Sequence, residues 1–92
     1  MKDVILFYRD DCGYCDRAHR AMAELMEENP AYRDIPIRMV EETREPEFID
    51  RFDYYATPCF FVDGKKVFEA HIRMSYEEIK AEVKRSLDAA LA

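Results

Sequence analysis

The run Val4-Ile5-Leu6-Phe7-Tyr8 is continuously β-favouring, breaks at Asp10-Asp11, and leads at once into Cys12-Gly13-Tyr14-Cys15. Its lack of alternation is the pattern of a strand buried on both faces, in a parallel or central position. From Gly13 the pattern becomes helical. Ala18, Ala21, Met22, Leu25 and Met26 recur at three- and four-residue spacing, with Arg17, Arg20, Glu24 and Glu27 on the other face. The cysteine pair therefore sits where a buried strand hands over to a helix, which requires a layered α/β architecture.

Further elements follow in alternation. Asn29-Pro30 stops the first helix. Ile35 to Glu41 reads as a second strand, and Glu45-Pro46-Glu47 as the start of a short helix with Phe48, Ile49 and Phe52 on its apolar face. Cys59-Phe60-Phe61-Val62 reads as a third strand, Asp63-Gly64 as a hairpin turn, and Lys66 to Ala70 as a fourth strand. Ser75-Tyr76-Glu77-Glu78 is a capping box that opens a last helix. The order β-α-β-α-β-β-α predicts one domain over residues 1–92: a four-stranded mixed sheet, its first β-α-β unit right-handed and parallel, with helices on both faces.

Composition narrows the function. Fourteen Lys and Arg against 20 Asp and Glu leave a net charge of −6. Nucleic acid and anionic lipid are poor partners for such a surface, because phosphate contacts need a basic face. No apolar run approaches the roughly 20 residues of a membrane span. Met1-Lys2-Asp3 runs into the first strand with no secretory h-region, so a cytoplasmic location is expected. Three cysteines, at 12, 15 and 59, are an odd count that argues for redox or metal chemistry over a structural disulfide framework.

At the helix N-terminus the unpaired N–H groups and the positive dipole end stabilise a thiolate at Cys12 and lower its pKa. Cys15 lies one turn in, close enough to form a disulfide with Cys12 and less exposed. Cys12 is thus the candidate attacking thiol and Cys15 the resolving thiol. A zinc site would want a second ligand pair, and only Cys59, His19 and His71 remain. Three readings of Cys59 stay open: an inert core residue, an auxiliary resolving thiol, or a third thiolate beside Cys12 and Cys15 for zinc or an iron–sulfur cluster. Phe60, Phe61 and Phe68 are assigned to the core. Tyr14, Tyr54 and Tyr55 are candidates for an apolar rim around the disulfide. His19 and His71 receive no role.

With strand, C-G-Y-C, helix, strand, short helix, Thr57-Pro58, hairpin and helix in this order, the chain resembles the thioredoxin superfamily over nearly its whole length. The size and the lack of an extra N-terminal strand are similar to a glutaredoxin. Tyr54 to Lys66 is similar to the Y-Y-x-x-P-T-F-x-V-x-G-K-K of small bacterial glutaredoxin-like or thioredoxin-like proteins. The resemblance implies a cis Pro58 packed against the catalytic disulfide and a Thr57 whose backbone contacts substrate. It places Tyr14 at the aromatic of the glutaredoxin C-P-Y-C, and Arg9 at a lysine that binds a glutathione carboxylate. It implies an enzyme that reduces protein or low-molecular-weight disulfides without metal or organic cofactor, recycled by a reductase or by glutathione.

Two departures matter. The Gly-Gly and Asp that hold the γ-glutamyl end of glutathione in glutaredoxins are replaced by Ala70-His71-Ile72-Arg73-Met74-Ser75. The buried Asp that helps deprotonate the resolving thiol in thioredoxins is replaced by Leu6. A dithiol oxidoreductase is the expectation, with a glutathione-dependent glutaredoxin and a three-cysteine metal or cluster module as alternatives.

Overall fold

The computed structural model describes all residues from Met1 to Ala92. Strand β1 (Val4–Tyr8) is followed by helix α1 (Gly13–Glu28), a short 3-10 helix (Pro30–Asp34), β2 (Ile37–Glu41), a one-turn α2 (Pro46–Ile49), β3 (Cys59–Val62), β4 (Lys65–Glu69) and α3 (Tyr76–Leu91). The strand order is β2-β1-β3-β4. Strand β1 pairs parallel with β2 and antiparallel with β3, so the unbroken apolar run occupies an interior strand. This is the four-stranded mixed sheet with three α-helices that the element order predicted.

Alternation within the strands makes two cores. Val4, Leu6, Phe60 and Val62 point to one face and pack against Ala18 and Leu25 of α1 and Ile79, Val83 and Leu87 of α3. Phe7, Val40, Cys59 and Phe61 point to the other face, where Phe48, Ile49, Phe52 and Tyr54 cover them. The second core is aromatic: the Phe7 ring lies 5.0 Å from Phe52 and 4.6 Å from Tyr54, centre to centre. Each large apolar side chain so buried contributes about 1.5–3 kcal/mol.

Strand β2 begins two residues later than its composition suggests. Pro36 has no N–H to give a ladder, so it serves only as acceptor, taking Val4 N–H at 3.0 Å. The 3-10 helix was not foreseen. Asn29 ends α1 by donating its N–H to Leu25 O, and its side chain then caps Ala31 N to start the next turn. The Asp63-Gly64 turn has both residues in the left-handed region, φ 52° and 82°, as a two-residue hairpin turn requires. At α3 both halves of the capping box form, Ser75 Oγ accepting from Glu78 N and Glu78 accepting from Ser75 N. No helix is long and apolar enough to cross a membrane.

Candidate functional site

Cys12 is the N-cap of α1, in extended conformation (φ −124°, ψ 111°). Its Sγ accepts a hydrogen bond from Cys15 N at 3.1 Å. A side chain that accepts the orphan N–H groups of a helix start is held best when it is an anion, so the same contact stabilises a Cys12 thiolate. Cys12 is partly exposed, whereas Cys15 is fully buried. The two form a disulfide with Cα atoms 5.1 Å apart.

The Thr57–Pro58 peptide bond is cis. Cys12 Sγ lies 3.7 Å from the Thr57 carbonyl oxygen and accepts from Thr57 Oγ1 at 3.8 Å. Thr57 thus touches the partly exposed sulfur, while the adjoining Pro58 is fully buried and its carbonyl accepts Ala70 N–H at 3.0 Å. Tyr14 is half-buried. Its hydroxyl accepts the Arg73 N–H at 2.7 Å, and the Arg17 guanidinium lies 5.2 Å from its ring centre. Arg73 is in the left-handed region, φ 70°. Tyr14 therefore ties the β4–α3 loop to the cysteine turn. Tyr55 and Ile72 are the most exposed large apolar side chains after the cysteine turn, at 89% and 72%.

The guanidinium of Arg9, at the position matched to the glutathione-binding lysine, pairs with Asp11 at 3.1 Å and Glu42 at 3.8 Å. For Cys59 the sequence leaves three readings open. Its backbone adjoins the site, but alternation along β3 turns its side chain to the opposite face, among Phe7, Val40 and Phe61. It is a free, fully buried thiol. Burial, with Glu69 adding repulsion, pushes its pKa up to about 12. The group is held as the neutral thiol, away from the reactive thiolate form. The three cysteines accordingly do not converge, and no group of three His, Cys, Asp or Glu side chains is arranged to hold a metal ion. The three-thiolate metal or cluster arrangement is not built.

Two carboxylates shape the site without having been singled out in the sequence. Glu41, buried at the end of β2, accepts from Asp10 N at 3.0 Å and from Thr43 N at 2.7 Å. These bonds, led by that from the Thr43 hydroxyl, hold its pKa down at about 2. Glu41 thereby fixes the turn that delivers Cys12. Glu69 accepts from Tyr55 N and, at 2.9 Å, from Ala56 N, and pairs with Lys66 at 3.0 Å. Lys66 also donates to Asp53 O at 3.3 Å. The two side chains clamp the segment before Thr57. A register shift between Phe60 and Phe61 lets residues 66 and 69 share a face. The only trace of this in the sequence is the Lys66-x-x-Glu69 spacing, which a regular strand would put on opposite faces.

The sequence matches the Glutaredoxin-like domain (DUF836) family over residues 3–84. The chain belongs to that family. No curated protein matches it. Among solved structures this glutaredoxin-like chain superposes on a malarial protein with a TM-score of 0.63, 16% identity, and coverage of 95% of this chain and 98% of the other. It superposes on the human ERp44 zinc-bound form with a TM-score of 0.55 and 18% identity, over 91% of this chain but 26% of ERp44. Oxidised glutaredoxin 2 from Chlamydomonas reinhardtii gives 0.49 at 17% identity, covering 98% and 79%. These likenesses concern the fold. Family and cysteine pair together make this a thioredoxin-superfamily protein with thiol redox chemistry.

Proposed function

We propose that this protein is a dithiol–disulfide oxidoreductase that reduces disulfides in protein or peptide substrates within the cytoplasm. The observation that carries this reading is the asymmetry of the pair: a partly exposed Cys12 accepting a helix-terminal N–H, and a fully buried Cys15 one turn behind it. In the reduced protein the Cys12 thiolate attacks a substrate sulfur, forming a mixed disulfide and releasing the substrate's other thiolate. Cys15 then attacks Cys12 Sγ, releases the second substrate thiol and leaves Cys12–Cys15 oxidised. A separate reductant restores the dithiol.

An extended substrate suits the surroundings. Cys12 is partly exposed, and its sulfur lies beside the Thr57 backbone. Single-turnover reduction of a disulfide-linked peptide tests the reading. Cys12→Ser should abolish reduction, and Cys15→Ser should stop at a mixed disulfide detectable by mass. A Cys12→Ser variant as active as wild type would refute it.

Membership of the glutaredoxin-like family supports a second reading, a glutathione-dependent reaction through Cys12 alone. That reading predicts that Cys15→Ser still turns over glutathione mixed disulfides. Against it, the Arg73 N–H in the loop beside Tyr14 is already engaged by the Tyr14 hydroxyl.

A further inference from the structure

One buried side-chain polar atom lacks a hydrogen-bond partner: Nε2 of His19. Native interiors leave few such groups, and an unsatisfied one calls for a role. His19 lies on α1 one turn beyond Cys15. Residues four apart on a helix have Cβ atoms about 5–6 Å apart, and helical side chains lean back toward the N-terminus. Helix spacing thus puts the imidazole one turn from Cys15, and in the disulfide form its Nε2 is bonded to neither cysteine sulfur. From the sheet, Tyr8 closes it in, with ring centres 4.8 Å apart and an edge-on angle of 74°. Two residues earlier on the same face of β1 stands the fully buried Leu6, which offers Cys15 no carboxylate.

The resolving step needs a proton acceptor. Cys15 must lose its proton before it attacks, and burial opposes a free thiolate. The charged groups facing His19 are Asp16 on its own helix and Asp10 from the loop after β1, both favouring the imidazolium. Burial outweighs them and lowers the pKa below its ordinary 6.5, so the ring is neutral at pH 7 and able to accept a proton.

We propose that His19 accepts the proton of the Cys15 thiol in the resolving step. The inference rests on the dithiol reading above. In the mixed disulfide, the Cys15 proton passes to the imidazole and the Cys15 sulfur bonds to Cys12 Sγ. The bond between Cys12 and the substrate sulfur breaks. The substrate leaves as a thiolate, which takes its proton from the imidazolium. The substrate disulfide is the only oxidant, gaining the two electrons that the dithiol loses.

The experiment follows the mixed disulfide. Reduced wild type, His19→Gln and His19→Leu are mixed with one equivalent of a disulfide-linked peptide, quenched in acid at intervals, and analysed by mass. In both variants the mixed disulfide should persist, its decay slowed at least about tenfold at pH 7. In wild type, independently of any variant, the decay rate should be level above pH 6.5 and fall below it as the imidazole protonates. Wild-type decay that falls tenfold per unit from about pH 8.5 downward, the signature of unaided thiol ionisation, would overturn the inference. Decay at the wild-type rate in both variants would do the same. Failure of Cys15→Ser to trap any mixed disulfide defeats the dithiol reading itself, and this inference with it.

Discussion

At the scale of single residues, the same side-chain type serves opposite ends according to what surrounds it. Cys12 has a helix N-terminus to stabilise its anion, while Cys59 is packed among apolar side chains with the Glu69 carboxylate opposing its anion. Cys59→Ala should keep disulfide reduction intact, and a thiol-blocking reagent should modify the partly exposed Cys12 rapidly in the native reduced protein while leaving Cys59 untouched. Fast native modification of Cys59 would contradict the burial argument. Glu69 acts at a distance from the sulfur by holding the backbone before Thr57. Glu69→Gln retains the side-chain shape but loses the charge-assisted bonds to Tyr55 and Ala56 and the Lys66 pair. Such bonds contribute about 1.5–3 kcal/mol each at most. The variant should raise KM for a peptide disulfide several-fold with little change in kcat, because it loosens the substrate-contact segment and leaves the cysteine pair alone.

At the scale of elements, the helix starts and the hairpin were legible because their signals are local. The Ser75 capping box, the Asn29-Pro30 stop and the Asp63-Gly64 turn each depend on residues within four positions of one another. Strand ends were less legible. Whether Ile35 belongs to β2 depends on which residue can donate to β1, and Pro36 removes that donor. The offset in β4 that lets Lys66 and Glu69 face one way depends on its partner strand. Gly64 gives a clean test of turn chemistry. Nothing lies within 4 Å of where its Cβ would stand, so Gly64→Ala should cost only the left-handed backbone strain. That is about 1–2 kcal/mol, measurable by urea unfolding. A loss much larger than this would mean the hairpin is shaped by packing at the turn.

At the scale of the whole molecule, carboxylates bridge elements that are far apart in sequence. Glu24 of α1 accepts from Tyr76 of α3, Asp88 of α3 accepts from Tyr32, and Glu41 holds the β1–α1 turn. Each of these groups has a pKa below its ordinary 4.5 or 3.8 because it accepts hydrogen bonds in the folded state. A carboxylate whose pKa is depressed by folding contributes stability above its unfolded value and loses it as pH falls toward the folded one. Tm should therefore be level from pH 7 to about 5 and decline between 4.5 and the Glu41 value of about 2. Thermal melts across that range check it. Glu41→Gln should soften the lower part of the decline.

The sequence by itself determined the order of elements, the interior position of β1, and the junction that makes Cys12 reactive, because hydrophobic period and helix-start chemistry act over a few residues. Only the tertiary structure decided which side chains share a space. It turned Cys59 away from the pair, tied Arg9 to Asp11, bonded Glu69 to the segment before Thr57, and set the His19 imidazole edge-on to Tyr8. Those outcomes depend on strand pairing, a register shift and the packing of a helix on a sheet. Apart from the Arg9–Asp11 pair, two positions apart, these contacts join residues from eleven to 52 positions apart, and no local pattern encodes them.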